Sequence, residues 1–240
     1  MDKIRNGSFT SSEIVALMKD GKAAGTMGAP ALLYIKQTNW ERKLGRSLDK
    51  EVSTRPMAWG KLCEYVAFDL LGMEYRHCSQ DTLQHPEIEY WVGSPDGEKL
   101  TDEGKTVIDF KCPELAAFCE LSEIETGEDL KKIEPKYYWQ LVSNACITGA
   151  KFAELIIFCP YQSQLQGIRE MVNDENVVPI DKIYQFLWIN NANDEEMVYL
   201  PNEGSQYKNI KIIRFEVSEI DKANLTNRVL SAGKLLIPRT

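Results

Sequence analysis

Val107-Ile108-Asp109-Phe110-Lys111-Cys112-Pro113 is the stretch from which the fold can be read. Apolar residues alternate with an acid and an amine and stop at a proline, which marks a strand. A period of two sends Asp109 and Lys111 to one side and Ile108, Phe110 and Cys112 to the other. Just upstream, Gly93-Ser94-Pro95-Asp96-Gly97 is a turn that carries a second carboxylate. If that turn folds beside the strand, Asp96 and Asp109 can hold a hard divalent cation through oxygen. Lys111 then stabilises phosphate charge or a metal-bound water. Such a site suits phosphodiester cleavage. Two acids and a lysine in a hairpin also make an ordinary surface salt bridge.

The strand sits within alternating elements. Upstream, hydroxyls at Thr10-Ser11-Ser12 precede Ile14 to Met18, which predicts a short helix capped by Ser11 or Ser12. A second helix is expected across Ala31 to Leu44, and a third over 56–71, where Ala58, Leu62, Tyr65, Val66, Ala67, Leu70 and Leu71 form an apolar stripe. Glu74 to Ser79, Ile88 to Val92 and Thr106 to Lys111 read as strands, Lys136 to Thr148 as a helix, and Ala153 to Cys159 as a buried strand stopped by Pro160. Helices, strands, helix and strand in that order predict an α/β fold, bordering on α+β, with a central mixed β-sheet flanked by helices. In the last third Gln185 to Ile189, Met197 to Leu200 and Lys211 to Phe215 read as strands, joined by a polar loop over 190–196 that covers sheet edges or serves oligomer contacts.

Composition narrows the function. Of 240 residues, 43% are hydrophobic, enough for a sizeable core, so one domain over 1–240 is expected. Twenty-eight Lys and Arg against 36 Asp and Glu leave a net charge of −8, which argues against a uniformly basic nucleic-acid coat and leaves local basic patches open. No apolar run approaches the roughly twenty residues of a membrane span, and the polar start lacks a signal-peptide pattern. The expectation is a soluble cytoplasmic protein with no membrane association. Six cysteines without a C-x-x-C pair read as reduced, mostly buried thiols.

Two further side chains join the acidic pair. Glu64, three residues after Lys61 and four before Phe68 on the third helix, is a possible third carboxylate. Gln140 precedes Asn144 by one helical turn, so its amide can position water or substrate.

Glu64, Ser94-Pro95-Asp96-Gly97, Asp109-Phe110-Lys111-Cys112-Pro113 and Gln140, in this order, resemble the motifs of the lambda-exonuclease-like, or YqaJ-like viral recombinase, branch of the PD-(D/E)xK nucleases. Ala58-Trp59-Gly60-Lys61 and Lys111-Cys112-Pro113 make the match more discriminating than D-x-K alone. The resemblance spans about residues 5–160 and leaves 161–240 as a C-terminal elaboration. It implies a restriction-endonuclease-like core and a metal-dependent deoxyribonuclease that degrades one strand of duplex DNA from a free 5′ end. That activity releases 5′-mononucleotides and leaves a 3′ single-stranded tail for recombination in a bacterial or phage-infected cell. By the same resemblance Asp96, Asp109 and the Phe110 backbone carbonyl are metal ligands, and Glu64 holds metal directly or through water. Lys111 activates the attacking water, and Gln140 supports the lysine and that water.

The cofactor so implied is Mg2+, as two ions, with Mn2+ able to substitute. The family often has glutamate where this chain has Asp109, a shorter arm with the same charge. Arg5 and Ser12 resemble the family's phosphate-binding entrance, their plainer roles being a solvated arginine and a helix cap. Tyr137 matches a helix-face aromatic near the site, with core packing as its alternative. A ring-like homo-oligomer, commonly a trimer, and a single-strand annealing partner are also implied. An endonuclease of the same fold and a non-catalytic DNA-binding or assembly module are the competing functions.

Overall fold

The computed structural model describes residues 4–23, 25–48, 54–78, 82–201 and 206–239. At its centre lies a five-stranded mixed sheet in the order β2-β5-β6-β7-β8, made of β2 (Tyr75–His77), β5 (Gly97–Thr101), β6 (Gly104–Lys111), β7 (Phe152–Phe158) and β8 (Ile210–Glu216). β6 and β7 run parallel, with Asp109 opposite Leu155, while the other neighbours are antiparallel. A smaller sheet sets β4 (Trp91–Gly93) between β1 (Phe9–Thr10) and β3 (Leu83–Gln84).

The parallel pair is central because both its faces are covered. Val107, Ala153, Leu155 and Ile157 join the core under α5 (Pro135–Thr148), whereas Ile108, Phe110, Ile156 and Phe158 join the core under α2 (Arg55–Leu70). Near-continuous apolar strands are what such a two-faced environment requires. The Thr54 hydroxyl caps α2 by accepting from the Met57 amide, and Pro56 sits in its first turn, where a missing N–H costs nothing. α5 likewise begins at Pro135 and ends at Gly149, whose φ of 70° permits the left-handed turn. The remaining helices are α1 (Ala29–Leu44), α3 (Leu115–Ser122), α4 (Gly127–Ile133), α6 (Leu165–Met171), α7 (Leu187–Asn191) and α8 (Glu219–Gly233). Among the described residues no helix is long and apolar enough to cross a membrane.

Five expectations change. Residues 185–189 are not a strand: Ile180–Gln185 is a 3-10 helix and α7 follows. Phe186 and Ile189 are the buried pair, a helical spacing, and they pack on the α2 side while β8 takes the free edge of β7. Met197 to Leu200 lies outside the sheets, with Leu200 forming an isolated bridge to Tyr161. Ile88 belongs to a turn, its carbonyl accepting from Trp91 N, so β4 starts at Trp91. Ser11 and Ser12 cap nothing: Ser11–Met18 is a 3-10 helix whose N-cap is Thr10, without a side-chain cap. The Ser11 hydroxyl is instead buried against Ser143 Oγ at 2.8 Å. All six cysteines are free, but only Cys63 and Cys159 are buried where most were expected to be, the others being half-buried; Ser79 lies outside the described residues.

Candidate active site

Sheet pairing builds the acidic pair. The backbone of Asp96, in the turn after β4, extends the β5–β6 ladder: its N–H donates to Ile108 O at 3.1 Å and its carbonyl accepts from Cys78 N at 2.9 Å. Its Oδ2 accepts from Phe110 N at 2.7 Å, so the side chain is anchored to the strand that carries the second acid. Asp109 is fully buried. Its Oδ1 accepts from Gln140 Nε2 at 2.5 Å, and its Oδ2 meets Lys111 Nζ at 2.5 Å. Gln140 thus grips the carboxylate rather than the lysine it was expected to support. Lys111 also donates to Phe110 O at 3.1 Å and lies 5.3 Å from the Tyr137 ring centroid. That contact places Tyr137 at the site, and the half-buried ring also packs on the core beneath α5.

Electrostatics show what the cluster lacks. Burial first, and the Asp109 charge second, push the Asp96 carboxyl up to about 8, although Lys111 pulls the other way. Lys111 is itself held above the ordinary lysine range: burial opposes its charge, but Asp109 and Asp96 more than offset that. Asp109 Oδ2 is buried and has no well-aligned hydrogen bond beyond its ion pair. Two crowded carboxylates, one buried oxygen short of a donor and the adjacent Phe110 carbonyl form a hard-oxygen donor set that fits a divalent cation. The third carboxylate is turned aside. Glu64 Oε1 lies 2.7 Å from His77 Nε2, and among the described residues no three His, Cys, Asp or Glu side chains form a ready metal cage. Glu64 still raises the Asp96 pKa through its charge.

His77 was missed by sequence reasoning. It stacks on Tyr65 at 5.4 Å, meets Phe68 edge-on at 5.0 Å and pairs in register with Gly97, next to Asp96. Its one sequence signal is scarcity, because the chain has only two histidines.

The N-terminal segment reaches the same turn. Phe9 N donates to Tyr90 O, and Ser143 Oγ receives Trp91 Nε1 at 2.7 Å while contacting Ser11, which ties β1 and the following 3-10 helix to β4 and α5. Arg5 is thereby placed to donate to Ser94 Oγ at 3.2 Å, and Ser94 in turn to Thr82 Oγ1 at 3.3 Å. Ser12 is engaged with Thr10 Oγ1 at 3.3 Å, so the hydroxyl beside Arg5 is that of Ser94.

The raised Asp96 carboxyl has a consequence for stability. A carboxyl whose folded pKa lies above its unfolded value stabilises the fold below the unfolded pKa and loses that contribution as pH rises through the folded one. In chelator, the melting temperature is therefore expected to fall as pH rises from 5 to 9 across the folded value of about 8. Mg2+ should restore it, and Asp96→Asn should flatten the slope. Differential scanning calorimetry with an equal slope in the variant would remove Asp96 as the cause.

A mixed sheet with helices on both faces, whose parallel central pair ends at two carboxylates and a lysine, defines the PD-(D/E)xK nuclease fold. The chain belongs to the YqaJ-like viral recombinase domain family, whose model matches residues 2–178. Among solved structures it is similar to the alkaline exonuclease LHK-Exo from Laribacter hongkongensis, at 16% identity and a TM-score of 0.59 over 96% of this chain and 89% of that one. LHK-Exo in complex with dAMP matches at 18% identity and a TM-score of 0.59, covering 97% and 90%. A phage-related exonuclease from Haemophilus somnus 129PT matches at 13% identity and a TM-score of 0.61, covering 95% and 92%. No curated protein matches the chain.

Proposed function

We propose that the protein is a metal-dependent 5′-to-3′ exonuclease on double-stranded DNA with a free 5′ end, releasing 5′-mononucleotides and leaving 3′ single-stranded tails for phage-type recombination. The observation that carries this reading is the buried Asp109 fixed between Gln140 and Lys111 beside an Asp96 pushed up to about 8. Asp96, Asp109 and the Phe110 carbonyl would hold Mg2+ or Mn2+, two ions in all, with Glu64 contributing once released from His77. The cation supplies Lewis-acid stabilisation of the phosphate charge.

The chain's own groups do the rest. Gln140 fixes the Asp109 carboxylate, and Lys111 Nζ, already directed at the Phe110 carbonyl, orients the attacking water. In-line attack inverts the phosphorus and expels the 3′ oxygen of the terminal nucleotide, leaving a new 5′ phosphate on the shortened strand. Arg5 and Ser94, with Ser12 nearby on the N-terminal segment, receive the 5′ phosphate. The dAMP bound by LHK-Exo is a 5′-mononucleotide of the kind this reaction releases. A homo-oligomer, as a trimeric ring working with a single-strand annealing protein in the cytoplasm, completes the reading.

The test uses end-labelled linear and covalently closed duplexes in Mg2+. Sequential mononucleotide release from linear DNA alone is expected, faster from 5′-phosphate than from 5′-hydroxyl ends, with Arg5→Ala erasing about tenfold of that preference. Cleavage of closed circles would mark an endonuclease. No cleavage of free ends, nicks or closed DNA would mark a non-catalytic module.

A further inference from the structure

Two of the free cysteines meet behind the strand that carries Asp109 and Lys111. Cys112 continues the alternation that sends Ile108 and Phe110 to the α2 side, and it packs on the core there. Cys63 is fully buried in that core, and its thiol is in hydrogen-bonding contact with Cys112. Cys159 is also near Cys112, but it belongs to the core under α5, across the sheet. Burial, with the Cys112 contact adding to it, pushes the Cys63 thiol well above its ordinary pKa, so that thiol stays protonated.

A cavity of about 90 Å3 opens onto the half-buried Cys112. Pro56 and Trp59 of α2 form one wall, and Trp188, with the Arg55 guanidinium 5.2 Å over its ring, forms another. Trp59 and Cys63 lie one turn apart on α2, which sets Cys63 behind that wall rather than in it. A small molecule can therefore reach Cys112 and not Cys63. The volume exceeds the roughly 10–15 Å3 that a water-sized molecule needs, and it is far below the roughly 300 Å3 of drug-sized sites. Hydrogen peroxide fits, whereas a tripeptide thiol such as glutathione is excluded.

We propose that Cys112 and Cys63 form a peroxide-sensitive pair, in which Cys112 is oxidised through the cavity and Cys63 resolves it to a disulfide that slows hydrolysis. In the first step the Cys112 thiol and hydrogen peroxide give a sulfenic acid and water, the sulfur losing two electrons to the peroxide bond. In the second the Cys63 sulfur attacks the sulfenic sulfur and displaces its oxygen, which leaves with the Cys63 proton as a second water. The product joins two residues that adjoin the site, because Cys63 precedes Glu64 and Cys112 follows Lys111. Drawing the sulfurs from contact to bonding distance shifts the end of β6 against α2. A displacement of about 1 Å at a reacting group costs on the order of 100-fold in rate. That effect rests on the exonuclease reading, whereas the cross-link does not.

The experiment treats the reduced full chain with hydrogen peroxide, caps the remaining thiols with N-ethylmaleimide in denaturant and digests it without reductant. Mass spectrometry is expected to find the Cys63 and Cys112 peptides joined. A sample kept native should hydrolyse DNA in Mg2+ about 100-fold more slowly than the reduced chain, and dithiothreitol should restore the rate. Cys112→Ala should form no such cross-link and keep its rate in peroxide. If that variant does not fold, Cys63→Ala serves: it leaves at Cys112 a sulfenic acid that dimedone traps. Cys63 and Cys112 both found capped after peroxide, Cys112 joined to Cys159 instead, a cross-linked chain at full rate, or inhibition undiminished in Cys112→Ala overturns the proposal. A reduced chain that hydrolyses no DNA sinks the exonuclease reading, and the cross-link then decides the thiol pair by itself.

Discussion

Asp109→Asn is expected to lower DNA hydrolysis by roughly a thousandfold or more while leaving a folded protein. The asparagine keeps the volume of a fully buried side chain and can still accept from Gln140 through its carbonyl oxygen. What it removes is the charge that pairs with Lys111 and, with Asp96, creates the demand for a cation. Two readouts should therefore move together: the hydrolysis rate, and the rise in melting temperature that Mg2+ produces. Removing the charge should also bring the Asp96 carboxyl down towards its ordinary range, because the Asp109 charge is its second largest source of elevation after burial. Hydrolysis within tenfold of the unsubstituted protein would end the assignment of Asp109 as a ligand.

Lys111→Met is expected to lower the rate by about 10²–10⁴-fold, the range for losing a charged group that positions the attacking water. Methionine keeps much of the apolar stem and deletes the ammonium. Asp109 is left buried with Gln140 as its remaining partner. Breaking a buried pair costs about 3–5 kcal/mol, a figure to be discounted here because the Lys111 side chain is 23% exposed. Turnover should be measured well below the melting temperature for that reason. The signature differs from that of Asp109: kcat falls while Mg2+ still stabilises the fold, since every proposed oxygen ligand remains. If cation stabilisation disappears along with the rate, Lys111 acts by shaping the donor set and not on the attacking water.

The sequence was most legible where burial leaves one solution. Thr106 to Lys111 reads as a strand because its apolar residues have partners on both faces, and the alternation that sends Asp109 and Lys111 to one side is what brings Gln140 of α5 to Asp109. β5 escaped notice: Gly97-Glu98-Lys99-Leu100-Thr101 is polar, its strand state comes from pairing with β6, and Leu100 is exposed. Residues 185–189 misled because a short apolar aromatic run is consistent with either state until its neighbours are known. The Glu64–His77 contact joins α2 to β2, thirteen residues apart, and no local pattern announces it. Ser11 and Ser12 satisfied every local rule for a helix cap, yet the Ser11 hydroxyl was more useful to the buried Trp91–Ser143 network.

The anchoring of Asp96 by the Phe110 amide and the Ile108 carbonyl gives the acidic pair no independent hinge. A ligand borne on a free loop can fray and re-form while the domain stays intact, but here the rungs that aim the carboxylate belong to the central ladder. Opening the site means opening the sheet, so the chemistry shares the cooperativity of the whole fold and is switched off by unfolding rather than by local breathing.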